Sequence, residues 1–236
     1  MSSMIRSYVF LRRSIGMIGM ALPVVLVVGY LFWPPTQVLT SISGYYYSPL
    51  RGVLVGSMCA VGVFLLSYRG IGIIDDLISN IAAVAAVGLA LFPTTPSGPR
   101  TVAQQHIGIV HVVCAATFFL MLALFCLVRF PKPDNEVTAG DPRRHRRDLA
   151  YYATGSMILL CLLLVVVTGL LPATEPAHPL LILETVAIFS FGVSWFVKGT
   201  EPLPADLLAA RAATPPAARP EEPDDLPDTT PVPTTP

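Results

Sequence analysis

Charge is scarce in this chain. Asp, Glu, Lys and Arg make up 13% of its 236 residues, against roughly 25% in soluble domains. With 53% hydrophobic residues, a water-soluble domain could not hide its apolar surface, so that class is excluded. Cysteine is also rare: Cys59, Cys114, Cys126 and Cys161 all lie inside apolar runs. They read as small buried hydrophobes and not as a disulfide set. No Cys-x-x-Cys and no metal-type Cys/His spacing occurs, so neither a metal nor another cofactor is expected. Period-two alternation is missing, which excludes a transmembrane barrel. The first apolar run has no small-x-small cleavage site and ends in Phe32-Trp33-Pro34-Pro35. Although Arg12-Arg13-Ser14 stands before it, it reads as an uncleaved helix rather than a signal peptide.

What the chain does have is six long apolar segments, roughly 15–33, 52–68, 77–92, 106–130, 150–171 and 179–197. Each is near the roughly 17–25 residues that cross a hydrocarbon core, the third being slightly short. Their flanking charges alternate by side. Arg6, Arg12 and Arg13 precede the first; Arg69 follows the second; Arg129, Lys132, Arg143, Arg144, Arg146 and Arg147 follow the fourth; Lys198 follows the sixth. The intervening loops hold only Arg51 and Arg100. Cationic loops stay cytoplasmic, so both termini are expected inside and the loops 34–51, 93–105 and 172–178 outside. The predicted fold is all-α: a six-transmembrane-helix bundle over residues 1–200. A Pro- and acid-rich cytoplasmic tail, 201–236, follows and is expected to be disordered and dispensable.

Small-residue faces mark close helix approaches. Gly52, Gly56 and Ala60 on the second segment, and Ser79, Ala83, Ala86 and Ala90 on the third, predict tight packing of that pair. Asp75 and Asp76 read as a helix start. The loop carrying Tyr45, Tyr46 and Tyr47 suits the headgroup level, with rings in the interface and hydroxyls in water. The cluster Arg143-Arg144-His145-Arg146-Arg147 enforces topology, with anionic headgroup binding as the alternative.

Ionisable groups inside a span are costly, roughly 2.5–3.5 kcal/mol for the charged types at mid-membrane. Glu184 lies in the sixth segment and His111 in the fourth, with His106 at the fourth's outer end. Counted from the outer ends of their helices, His111 and Glu184 both sit about 8–9 Å deep at 1.5 Å per residue. At one depth an imidazole and a carboxylate offset each other's desolvation. Ser57 has a similar depth; Arg51, Ser43 and Tyr46 lie above. His106 and His111 stand about 140° apart around a helix, which is unsuited to gripping one metal. The simplest role for the pair is an interhelical clasp; a ligand or headgroup site and catalysis are the alternatives. Positions 184, 187, 191, 194 and 198 share one helix face, with Trp195 and Lys198 expected to anchor and snorkel at the inner interface.

Several elements together carry a resemblance. They are the outer Ser41-Ile42-Ser43-Gly44-Tyr45 loop, Ser67-Tyr68-Arg69, the Asn80-bearing third helix, His106 with His111, and the run from Glu184 to Trp195. The chain resembles the six-span FRAG/DRAM/Sfk family of eukaryotic membrane proteins, and more closely bacterial six-span proteins without an assigned activity. The resemblance covers about residues 10–198. It implies six spans with cytoplasmic termini and a membrane-lipid theme: autophagy modulation, GPI-anchor lipid remodelling, lipid asymmetry. No catalytic residues carry over. The Ala/Val-rich, Arg-over-Lys composition points to a high-GC bacterium.

The expectation is therefore a non-enzymatic protein of the cell membrane that binds lipid or a small partner in an outward-facing polar cavity. Its candidate residues are His111, Glu184, His106, Ser43, Tyr46, Ser57 and Arg51. Two alternatives stand beside it. One is a membrane-embedded lipid hydrolase or acyltransferase, with His111 or His106 as base and Ser43 or Ser57 as nucleophile. The other is a small transporter with a Glu184–His111 proton relay. Membrane lipids are the expected partners, with another membrane protein as the alternative and no nucleic acid.

Overall fold

The computed structural model describes residues 3–34, 38–68, 72–132, 142–170 and 178–201, with side chains from Val9 onward. Arg69, most of the 172–178 loop and the tail beyond Glu201 lie outside the described residues. The chain is all-helical: α1 (Ser3–Tyr30), a 3-10 turn (Ser43–Tyr47), α2 (Arg51–Ser67), α3 (Ile73–Leu91), α4 (Val102–Leu124), α5 (Arg144–Leu170) and α6 (Pro179–Lys198). Among the described residues five of six helices are long and apolar enough to cross a membrane; α2, at 17 residues, is the short one. α3 makes up its length by starting four residues earlier than its apolar run, at Ile73.

Local chemistry explains the boundaries. α4 opens with a capping box: Thr101 Oγ accepts from Gln104 N–H (3.2 Å) and Gln104 Oε1 accepts from Thr101 N–H (2.8 Å), so two orphan donors are satisfied reciprocally. α6 starts on Pro179, whose missing N–H costs nothing in the first turn. α4 ends in a π-helical stretch, Phe125–Arg129, closed by Phe130 N–H to Phe125 O at 2.8 Å. The widened turn helps aim Arg129 at Asp75 on α3, a bidentate pair in which Asp75 is buried and Arg129 half-buried. Asp75 is thus more than a helix start.

Each helix packs on its neighbours in sequence and α1 packs on α6, which closes a ring. Adjacent helices run in opposite directions, so their ends gather at two poles. At one pole Tyr68, Phe125, Phe130, Tyr151 and Trp195 interlock with centroids 5.1–5.9 Å apart. The other pole holds the polar loops described below. Leu, Val and Ile are exposed along the bundle's sides, notably on α5. So large an exposed apolar surface belongs in lipid.

Four expectations are corrected here. Gly52 and Gly56 touch nothing within 4 Å; α2 meets α3 at Gly62 instead, against Ala83, Ala86 and Val87. Trp195 is fully buried and Lys198 is 2% exposed, so neither reaches an interface. Tyr45 is buried edge-on against Tyr30 (5.5 Å) and not laid out at headgroup level. Glu201 belongs to the bundle and not to a tail: Lys198 Nζ donates to its Oε2 (2.5 Å) and the Tyr151 hydroxyl to its Oε1 (2.6 Å). A chain ending at Thr200 would lose that carboxylate.

The tightest crossing is α1 on α6. A Cβ on Gly192 would fall 2.7 Å from Met20 N and 2.9 Å from Gly16 O, and one on Gly16 2.6 Å from Phe196 N. Backbone opposes backbone, so no side chain can swing aside. Gly192→Ala should cost about 1–3 kcal/mol in a mixed-micelle unfolding titration. Gly56→Ala, in open space, should cost nothing measurable by the same assay.

Candidate functional site

The polar pole is built around a loop that folds into the bundle. Residues 38–50 turn inward through the 3-10 segment, burying Ile42, Tyr45 and Leu50. Ser41 Oγ accepts from Gly44 N–H at 2.9 Å and stabilises the turn. This leaves the N–H groups of Ile42 and Ser43 directed at α6. There Glu184 accepts them: Ile42 N–H to Oε2 at 2.5 Å and Ser43 N–H to Oε2 at 3.4 Å. Glu184 is therefore the anchor that holds the loop down.

Ser43 is the centre of the cluster. Its Oγ lies 3.0 Å from His111 Nε2 and 3.4 Å from Glu184 Oε1. His111 Nδ1 lies 2.7 Å from Phe92 O, which can only accept, so Nδ1 carries a proton. In the neutral ring Nε2 is then an acceptor. The Ser43 hydroxyl has one proton and two acceptors, and the nearer is the imidazole. His111 and Glu184, expected to pair, meet through this serine.

The Phe92 carbonyl is delivered by a close approach of two elements. Thr95, three residues on, sits against Gly108 on α4, one turn before His111, and a methyl there would collide with its side chain. Tyr47 ties the two polar loops together by donating its hydroxyl to Thr94 O (2.7 Å).

Below the cluster is a cavity of about 500 Å³ between α4, α5 and α6. Ser41, Ser43, Thr94, His111 and Glu184 line its polar end. Its walls are apolar: Val112, Ala116 and Leu120 from α4, Leu159, Leu163 and Val166 from α5. It exists because α5 packs closely on α6 and less closely on α4. A second, smaller cavity of about 50 Å³, lined by residues of α1, α2, α4 and α6, also has Ser43 and Glu184 in its wall.

Of the seven candidate residues, the structure brings Ser43, His111 and Glu184 together. Arg51 donates to the Tyr46 hydroxyl and lies 4.1 Å over its ring; that pair is at the surface and lines neither cavity. His106 is exposed at the start of α4, and Ser57 lines neither cavity. Ser41, Thr94 and the Phe92 carbonyl join the site without having been singled out. Gly108 was the readable clue, a helical glycine three residues before a buried histidine. Among the described residues no three His, Cys, Asp or Glu side chains converge as a metal site requires.

Among the described residues, fold and site together define an all-helical protein with five helices long and apolar enough to cross a membrane. Its polar cluster stands at the head of an apolar cavity. No family model, characterised protein or solved structure matches the chain.

Proposed function

We propose that the chain is a six-span protein of the cell membrane, with cytoplasmic termini and the FRAG/DRAM/Sfk-like character its motifs resemble. In this reading it binds a lipid or small partner in an outward-facing cavity. The orientation rests on Arg143, Arg144 and Arg146, which lie at the aromatic pole and should keep it cytoplasmic. The cavity then opens toward the outer leaflet. The observation that carries the binding role is the polarity gradient of the 500 Å³ cavity: hydrogen-bonding groups at one end, α4 and α5 hydrocarbon along the rest. Its volume is within the roughly 300–1,000 Å³ of small-ligand sites.

One observation favours acyl transfer as a second reading: Ser43 Oγ is 3.0 Å from a histidine whose tautomer suits a general base. Another weighs against it. The N–H groups of Ile42 and Ser43, the donors nearest the hydroxyl, already serve Glu184. A carboxylate sits where an oxyanion would need donors. Binding is the better reading.

The test fills the cavity. Leu163→Trp and Ala116→Phe project from opposite walls, on α5 and α4. Lipid extracted from the purified unmodified chain and measured by mass spectrometry should include a retained species. In both variants it should fall roughly tenfold or more. Equal retention in the variants and the unmodified chain would reject the reading.

A further inference from the structure

The acceptors at the polar end outnumber the donors left free there. Among the described residues Glu184 Oε2 is held by two backbone N–H groups, but Oε1 has a single donor, the Ser43 hydroxyl at 3.4 Å. When that hydroxyl donates to His111, Oε1 has none. Among the described residues no cationic side chain forms an ion pair with Glu184, and no Lys or Arg lines the cavity. Arg51, the basic residue of the neighbouring loop, is engaged with Tyr46 at the surface. The backbone donors are already committed: those of Ile42 and Ser43 to Glu184, that of Gly44 to Ser41. An anionic headgroup would meet a carboxylate and find few donors. A cationic head would meet an acceptor with spare capacity, and charge-assisted bonds are roughly twice as strong as neutral ones.

We infer that the occupant is a single-chain amphiphile with a primary ammonium head. Its nitrogen donates to Glu184 Oε1 and the Ser41 or Ser43 hydroxyl, and its alkyl chain lies between Ala116 and Leu120 of α4 and Leu159 and Leu163 of α5. This narrows the lipid-binding proposal and depends on it. The volume suits one chain with a compact head and not a two-chain phospholipid.

The experiment uses the full chain in phosphatidylcholine nanodiscs with radiolabelled hexadecylamine. Hexadecanol and hexadecyl phosphate, equal in chain length, serve as competitors. Saturable amine binding is expected, displaced about tenfold less well by the alcohol and not by the phosphate. Glu184→Gln should weaken the amine about tenfold and leave the alcohol nearly unchanged: the amide oxygen stays on the Ile42 and Ser43 N–H groups, and the NH2 that replaces Oε1 repels an ammonium but can donate to a hydroxyl oxygen. Leu163→Trp should abolish both. Equal competition by alcohol and amine, or displacement by the phosphate, overturns the amine assignment and leaves lipid binding standing. Absence of any binding sensitive to Leu163→Trp overturns both. The comparison of probes on the unmodified chain decides the matter even where Glu184→Gln does not fold.

Discussion

Glu201→Leu should destabilise the bundle by about 3–5 kcal/mol, the usual cost of removing one member of a buried ion pair. The reason is local. Lys198 is 2% exposed and its Nζ lies 2.5 Å from Glu201 Oε2. The Tyr151 hydroxyl donates to the other oxygen, and Arg147 Nε stands 3.8 Å away. Loss of the carboxylate takes the acceptor at 2.5 Å from a buried ammonium whose Nζ also lies 5.4 Å from the centre of the Phe130 ring. Lys198→Met combined with Glu201→Leu should recover part of the loss, because the ammonium goes with the carboxylate while the Tyr151 hydroxyl and Arg147 still lack that acceptor. Unfolding in mixed micelles measures both. A Glu201→Leu chain as stable as the unmodified one would show that the residue is solvated.

Trp195→Ala should cost a similar amount, about 3–5 kcal/mol. The indole is fully buried and sits 5.1 Å from Tyr68, 5.6 Å from Phe125, 5.4 Å from Phe130 and 6.1 Å from Phe191 by ring centroids. These rings come from the ends of α2 and α4 and from the body of α6, so the cavity left behind would loosen three helices at once. Trp195→Phe should keep most of the stability, since offset and edge-on ring contacts survive. An interfacial anchor would behave differently: its removal would alter membrane depth and leave the unfolding midpoint nearly unmoved.

These effects also show where sequence reasoning reaches and where it stops. The helices were legible because apolar runs of that length have one spanning solution in lipid. The shared depth of His111 and Glu184 was legible because a helix rises a fixed distance per residue, and the structure does bring both to Ser43. The stripe 187, 191, 194, 198 was legible as one face, but not which way that face looks; it looks inward, so Trp195 and Lys198 became core. The small-residue rule applies equally to Gly52 and Gly56 and to Gly16 and Gly192. Only tertiary contact decides that the second set meets a backbone and the first meets nothing. The inward fold of residues 38–50 has no periodicity to reveal it. It depends on a long-range bond, Ile42 N–H to Glu184, that spans 142 residues of chain. Glu201 was hidden by its surroundings in the sequence, lying one turn past α6 at the head of an acidic, Pro-rich stretch.

The central claim is that the polar cavity faces outward and the aromatic pole faces the cytoplasm. Membrane-impermeant maleimide labelling of intact cells tests it most directly, with single cysteines placed in a cysteine-free background. His106→Cys stands exposed at the cavity pole and Arg146→Cys exposed at the opposite pole. The account predicts that His106→Cys labels in intact cells and Arg146→Cys only after permeabilisation. Labelling of Arg146→Cys from outside, or of both positions from the same side, would contradict it.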